Sequence, residues 1–288
     1  MTTEHAPTAP RFAPLFISHG SPMTALEPGA AGAFWADLGR ALAARIEAGQ
    51  GPRALVLFSA HTLARQPVVL GGARHPAIHD FGGFPQALYD LRYEAPGDPA
   101  LAARIHTLLQ AAGEPAVLSQ AAGLDHGNWT PLRTLRPQAD LPVVPVAFPP
   151  DASPARLMAI GAALAPLVDE GIWVIGSGSI THNLGLGFGQ PGQRDAPAIP
   201  EAQAFRQWCA RHTEAGDWPT LLEWRQRAPH PRLMHPTDEH LLPFFIAAGA
   251  AGTGPGRRLH DSITWTHLGM DVYAFGPQAG DWPQALAA

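Results

Sequence analysis

Two kinds of hydrophobic pattern alternate along the chain. Short, nearly continuous apolar runs fall at Pro14–Ser18, Ala54–Ala60, Pro67–Leu70, Ala116–Ser119, Pro142–Phe148 and Ile172–Gly176. Two more follow at Arg258–Ser262 and Asp271–Phe275. Runs without a polar face suit strands covered on both sides. Between them lie helical stripes. Phe34, Leu38, Leu42 and Ile46 recur every fourth residue and define one apolar face. Asp98-Pro99 reads as a cap followed by a first helical residue, with Leu101, Ile105, Leu108 and Leu109 behind it and Gly113 closing. Ser153-Pro154 repeats that signature ahead of Leu157, Ile160, Leu164 and Leu167, with Gly171 beyond. The alternation predicts an α/β fold: one domain spanning 1–288, a largely parallel or mixed sheet flanked by helices, and a flexible 1–12. The tryptophan-rich stretch Pro200–Gly249 is expected to be mostly helical and to pack on the same core.

Composition narrows the function classes. Of 288 residues, 46 % are hydrophobic and only 15 % charged, against a typical ~25 % charged. With a net charge of −5, neither a disordered tail nor a nucleic-acid-binding face is expected. One cysteine, Cys209, excludes an internal disulfide framework and is expected in the core. No apolar run approaches the ~20 residues of a membrane span, and Met1–Pro10 lacks the order of a secretory signal, so a cytoplasmic protein is expected. All 19 basic residues are arginine, which excludes lysine Schiff-base and Walker-type chemistry. Gly187–Gly192 spells G-x-G-x-x-G but does not open a helix after a strand, so a dinucleotide site is rejected. Gly176–Ser179 could cradle an anion but does not spell a serine nucleophile elbow.

The 14 histidines carry the chemistry. Three follow apolar runs directly: His19 after Leu15–Ser18, His61 after Leu55–Ala60, and His182 after Trp173–Thr181. Open α/β sheets bind ligands beyond the carboxyl ends of their strands, so these distant residues can share one pocket and one metal. His240 is a fourth candidate, expected in the first turn of a helix capped by Thr237, whose positive end would keep the imidazole neutral. His235 and Glu239 compete with it as ligands. Pro243 would then sit inside that helix at a cost. Two loops look built for a pocket: His79-Asp80-Phe81-Gly82-Gly83-Phe84, and Asp125-His126-Gly127, whose glycines permit close backbone approach. The remaining histidines read as loop, helix-surface or edge-strand residues.

In order and spacing, Ser18-His19-Gly20-Ser21-Pro22-Met23, Ser59-Ala60-His61, His79–Pro85, Asp125-His126-Gly127, Thr181-His182-Asn183 and Pro236–His240 resemble the class III extradiol ring-cleavage dioxygenases, in the branch similar to DOPA 4,5-dioxygenase. The resemblance implies one mononuclear non-haem divalent metal, Fe(II) favoured and Zn(II) the alternative, held by His19, His61 and His240. It implies an acid/base role for His182, which some descriptions of the family count among the ligands, and a second pocket histidine in His126. His79, Asp80 and Phe81 are the candidate substrate contacts. The implied reaction opens a catechol beside its hydroxyls with O₂, giving a muconic semialdehyde; the implied partners are a small aromatic diol and O₂, with a homo-oligomer allowed. Where many relatives complete the ligand set with Glu, this chain offers His240 preceded by Glu239. A zinc hydrolase on the same histidines, or a non-catalytic binding protein of the same fold, are the competing readings. Arg74 and Arg92 are the arginines near the candidate loops that could pair a substrate carboxylate.

Overall fold

The computed structural model describes residues 9–187, 194, 196–252 and 254–282. Its centre is an eight-stranded mixed sheet. The strands are β1 (Leu15–Ser18), β2 (Ala54–Ser59), β3 (Val68–Leu70), β4 (Val117–Ser119), β5 (Val143–Ala147), β6 (Ile172–Gly178), β7 (Gly256–His260) and β8 (Val272–Phe275). Their spatial order is β4-β3-β5-β2-β6-β1-β8-β7. The four middle strands β5, β2, β6 and β1 run parallel to one another, while β8 joins β1 antiparallel, β7 joins β8 antiparallel and β3 joins β5 antiparallel. All eight expected runs are strands of this sheet. Two short ribbons, 74–76 with 94–96 and 263–264 with 268–269, are additional.

Alternate residues of the apolar runs point to opposite faces, and each face has its own cover. Phe16, Val56, Phe58, Val144, Val174, Tyr273 and Phe275 belong to one buried cluster, with α2 (Pro99–Ala111), α4 (Pro154–Ala163), α5 (Pro200–Glu214) and α6 (Leu242–Ala251). Leu15, Ile17, Leu55, Leu57, Trp173, Ile175 and Val272 belong to the other, with α1 (Gly29–Glu47) and α3 (His126–Leu135). The first cluster also takes in Trp208, Trp218, Trp224 and Cys209, so the tryptophan-rich stretch does pack on the common core. The caps follow the sequence: Asp98 accepts from the Leu101 amide and Ser153 from the Arg156 amide.

Three expectations change. The segment after Ser153 is two helices, Pro154–Ala163 and Ala165–Asp169, because Pro166 starts a new helix instead of continuing the first. Phe12 is not flexible; it is buried against Trp173 and Trp282, whereas residues 1–8 lie outside the described residues. Most of the Gly187–Gly192 stretch also lies outside them. Gly176–Ser179 is not a loop for an anion, since β6 continues through Gly178. Among the described residues no helix is long and apolar enough to cross a membrane.

Helices α4 and α6 meet backbone to backbone through two glycines. A Cβ on Gly161 would stand 2.0 Å from the Ile246 carbonyl oxygen, and one on Gly249 would stand 2.0 Å from that of Met158. Alanine would gain up to about 1 kcal/mol of helix propensity, but the clash with backbone has no flexible partner to yield. Gly161→Ala is therefore expected to destabilise by about 1–3 kcal/mol net. Urea unfolding measures it; a change within about 0.5 kcal/mol of zero, the range of ordinary surface substitutions, contradicts the packing.

Candidate active site

β2, β6 and β1 are adjacent and parallel, and their carboxyl ends deliver the first histidines to one place. Ser18 pairs with Gly178 and Ser59 with Ser177, so the three ends are level. His19 follows β1 at once, and its amide donates to the Gly178 carbonyl at 2.9 Å. His61 follows β2 after one residue. The Nε2 atoms of His19 and His61 are 3.1 Å apart.

His240 arrives from a different direction. Residues 236–241 form no helix; α6 begins at Leu242, so Thr237 does not cap it, and its hydroxyl instead donates to the Glu239 carboxylate at 2.9 Å. Pro243 falls in the first turn of α6, where its missing N–H costs nothing. The segment lies flat on the sheet: a Cβ on Gly178 would stand 2.0 Å from the His240 carbonyl oxygen, and one on Gly176 would stand 2.3 Å from that of Pro243. The Ser179 amide donates to that His240 carbonyl at 2.8 Å. His19, His61 and His240 thereby bring one ring nitrogen each within 4.8 Å of the others.

The outer nitrogens of two of these rings, His19 and His240, are spoken for. Ser177 gives its hydroxyl proton to the Gly127 carbonyl, so at 3.0 Å His19 Nδ1–H donates to the serine oxygen and Nε2 keeps its lone pair. His240 Nδ1–H donates to Glu239 at 3.0 Å, which leaves a buried Nε2 with no hydrogen-bond partner. An orphaned lone pair beside two further imidazoles is what a divalent cation satisfies, and a 3.1 Å separation matches the edge of a site with M–N bonds of about 2.0–2.1 Å. The residues fit a metal. His182 stands apart from that trio: its ring stacks on His240 at 3.5 Å and 5°, and it groups with Glu239 and His240.

The two loop motifs meet crosswise. Neither His79-Asp80 nor Asp125-His126 is a pair; Asp80 instead accepts from both the His126 ring Nδ1 and the His126 amide, each at 2.9 Å. Asp125 caps α3 through the Asn128 amide and accepts from Ser59 at 2.6 Å. Gly127 lets the first turn of α3 rest on His19, since a Cβ there would stand 3.0 Å from its ring. The His126 ring is then 4.0 Å from that of His61.

A cavity of about 200 Å³ opens above these groups. His61, His126, His182 and His240 reach it, and apolar side chains, Phe81 and Phe84 among them, form much of its wall. Of the expected substrate contacts, Phe81 lines the cavity. Asp80 sits behind His126, and His79 packs among Phe81, Tyr89 and Trp129. Arg74 does not face the cavity, being ion-paired with Glu94 on the outer ribbon. Arg92 donates to the Tyr89 and Leu91 carbonyls. His235 is no ligand either: it is buried elsewhere, with Nε2 on the Ile180 carbonyl at 2.9 Å.

Burial first, and then the other imidazoles, keeps these histidines neutral. It lowers His19 and His240, takes His61 down to about 3, and takes His182 down to about 2. Burial is the largest single influence on Glu239 and would raise it, but the hydrogen bond and proximity of His240, with hydrogen bonds from its own backbone and Thr237, together outweigh it and hold the carboxyl at about 2.

The described fold agrees with what this chain is similar to. The family model for the catalytic LigB subunit of aromatic ring-opening dioxygenase matches residues 14–276. The chain belongs to this family. Among its relatives, a 4,5-DOPA dioxygenase extradiol from Beta vulgaris is 38 % identical over 262 residues, covering 90 % of this chain and 95 % of that protein. One of the same name from Escherichia coli K12 is 37 % identical, covering 83 % and 85 %. The crystal structure of an uncharacterized protein from Escherichia coli K12 superposes with a TM-score of 0.72 at 30 % identity, covering 92 % of this chain and all of that one. This LigB-family chain is thus a dioxygenase-like α/β protein whose His19, His61 and His240 can hold a single metal ion.

The neutral imidazoles predict an acid sensitivity. Unfolded histidines take up protons below about pH 6.5, whereas His61 and His182 in the fold do so only near 3 and 2. The unfolded state therefore binds more protons as pH falls through that window, and stability present above pH 6.5 is lost below it. Thermal unfolding of chelator-treated protein from pH 7.5 to 5 should show a falling Tm. A flat profile would contradict the neutral, buried cluster.

Proposed function

We propose that this protein cleaves a catechol-type ring beside its hydroxyls with O₂, at one mononuclear metal held by His19, His61 and His240. The observation that carries the reading is the buried Nε2 of His240, without a partner and converging with two further imidazoles under an aromatic-walled cavity. Family membership and the names of the relatives support it. Fe(II) is the metal proposed for activity, with Zn(II) as the competing occupant of an all-imidazole set. Such an ion, when bound, acidifies the catechol hydroxyls and lets the catecholate react with O₂.

The chain's own residues do the rest. Phe81 and Phe84, edge to face at 5.4 Å, give the diol ring an apolar wall. His126 takes a hydroxyl proton, because Asp80 on its Nδ1 balances the imidazolium that forms and leaves Nε2 free to accept. His182 has no such carboxylate on its ring. It is assigned the donor side, where a neutral imidazole presents one N–H to charge developing as the ring opens. His182 is thus a proton-handling group and not a ligand. Both oxygen atoms enter the product, a muconic semialdehyde, and no external reductant is required.

Anaerobic loading with Fe(II), followed by a panel of catechols and O₂, should give a yellow product with matching oxygen uptake. Ester hydrolysis without oxygen uptake would favour the zinc-hydrolase reading. His126→Ala and His182→Ala should each keep the metal and lose roughly 10²–10⁴-fold in kcat. His240→Ala should lose the metal. Elemental analysis separates these outcomes, and loss of metal in His182→Ala would make His182 a ligand.

A further inference from the structure

Two acidic side chains are buried among the described residues, Asp125 and Asp271. Asp271 is neutralised in place, with Arg206 Nε 2.6 Å and Arg258 Nη1 3.3 Å from its carboxylate. Asp125 has no such partner. It accepts from the Ser59 hydroxyl at 2.6 Å, the Thr62 hydroxyl, the Asn128 amide at 3.1 Å and Asn128 Nδ2 at 3.2 Å. Every one of these donors is uncharged. The Asn128 groups can only donate, and Ser59 gives its one proton to Asp125 because its oxygen already accepts the His61 amide at 3.2 Å. That is the bonding pattern of an ionised carboxylate. The N-terminus of α3 offsets about half a charge at most. Burial pushes the Asp125 carboxyl up, and although the two hydroxyls pull it back, Asp80 nearby adds to the push.

This costly charge stands directly behind the ligand cluster. Ser59 and Thr62 flank His61 in a turn closed by the Thr62 amide on the Ser59 carbonyl at 3.0 Å, so one carboxylate grips the turn on both sides of the ligand. A Cβ on Gly127 would stand 2.6 Å from Ser59 Oγ and 3.0 Å from the His19 ring, so that hydroxyl and that ring share the space under Gly127. The charge of Asp125 reaches His240 as well. On the reading that His19, His61 and His240 hold a divalent metal, we infer that Asp125 is the metal's buried counter-charge. It is a positioning residue that fixes the His61 turn and whose negative charge tightens the metal. The imidazoles are neutral, so a dication brings charge that they do not balance. A cation on the far side of one hydroxyl and one ring relieves the uncompensated carboxylate, and by linkage the carboxylate strengthens cation binding by the same factor.

Asn and Ser cap helices about as well as Asp, so Asp125→Asn and Asp125→Ser remove the charge and keep the start of α3. Competition with a chromophoric chelator reads zinc affinity, and thermal unfolding of chelator-treated protein reads the fold alone. Both variants are expected to bind zinc roughly 10–100-fold more weakly than the unaltered protein. Their metal-free Tm should stay level or rise, because a buried charge without a counter-ion is gone. A residue with a structural role alone gives the opposite split, a lower metal-free Tm with zinc affinity unmoved. That split, undiminished zinc affinity in either variant, or failure of both to fold would overturn the inference. Unaltered protein that takes up no zinc would sink the metal site itself, whereas zinc bound equally by all three proteins sinks only the role of Asp125. Neither readout involves O₂ or a diol, so a failure of ring cleavage would count against the dioxygenase reading and leave Asp125 its role.

Discussion

Whether this chain has a site at all depends on how closely the segment 240–243 lies on β6. Two strand ends can place His19 and His61 side by side, but two imidazoles do not make a closed site for a metal. The third comes from 179 residues further along than His61, on a segment that crosses the sheet at backbone contact. Gly176 and Gly178 make that contact, because a methyl group at either position would overlap the Pro243 or His240 carbonyl oxygen. The Ser179 amide then fixes the carbonyl of His240 itself. Location of the ligand is thus tied to backbone hydrogen bonding, which is far less compliant than a side-chain contact.

Electrostatics follow from that placement. Several imidazoles share a volume that excludes most water, and no two can be charged together, so lone pairs face inward. Three outer nitrogens have their own partners: Ser177 for His19, Glu239 for His240, Asp80 for His126. These partners set tautomers, and two of them add negative charge one bond beyond the ring. Glu239 is consequently not a replacement for a carboxylate ligand. It supplies its charge through His240, which leaves the inner set neutral.

Much of this was legible in the sequence because strand ends in a parallel sheet share an edge. The runs ending at His19 and His61 predicted both the strands and the convergence, and the lack of a polar face in those runs predicted cover on both sides of the sheet. The local setting of His240 was not legible. Thr237-Asp238-Glu239 spells a helix start, yet Pro243 is tolerated only if the helix begins later, and that alternative signal is the one the fold obeys. The crossing of the loop motifs was also hidden. Adjacent letters suggested His79-Asp80 and Asp125-His126, but partners 46 residues apart are chosen by packing of α3 against the 78–85 loop. Trp129, donating to the Ile78 carbonyl at 2.9 Å, is part of that packing. The glycines at 176 and 178 were visible as letters and misread as an anion loop, since their function is to meet a backbone 60 or so residues away.

The site divides into a part that must stay and a part free to vary. His19 and His61 are set by sheet register, and His240 by contact with β6, so moving any of them means moving the core. The wall toward the substrate comes from elsewhere: Pro22 just after β1, Phe81 and Phe84 from a loop, Leu184 and Leu268 from short connections. Loops tolerate substitution because few buried groups depend on them. Substitution in those loops can thus change the wall while the histidines stay where the sheet puts them. The wall over the histidines has to be read from this chain's own loops, which set Phe81, Phe84, Leu184 and Leu268 around it.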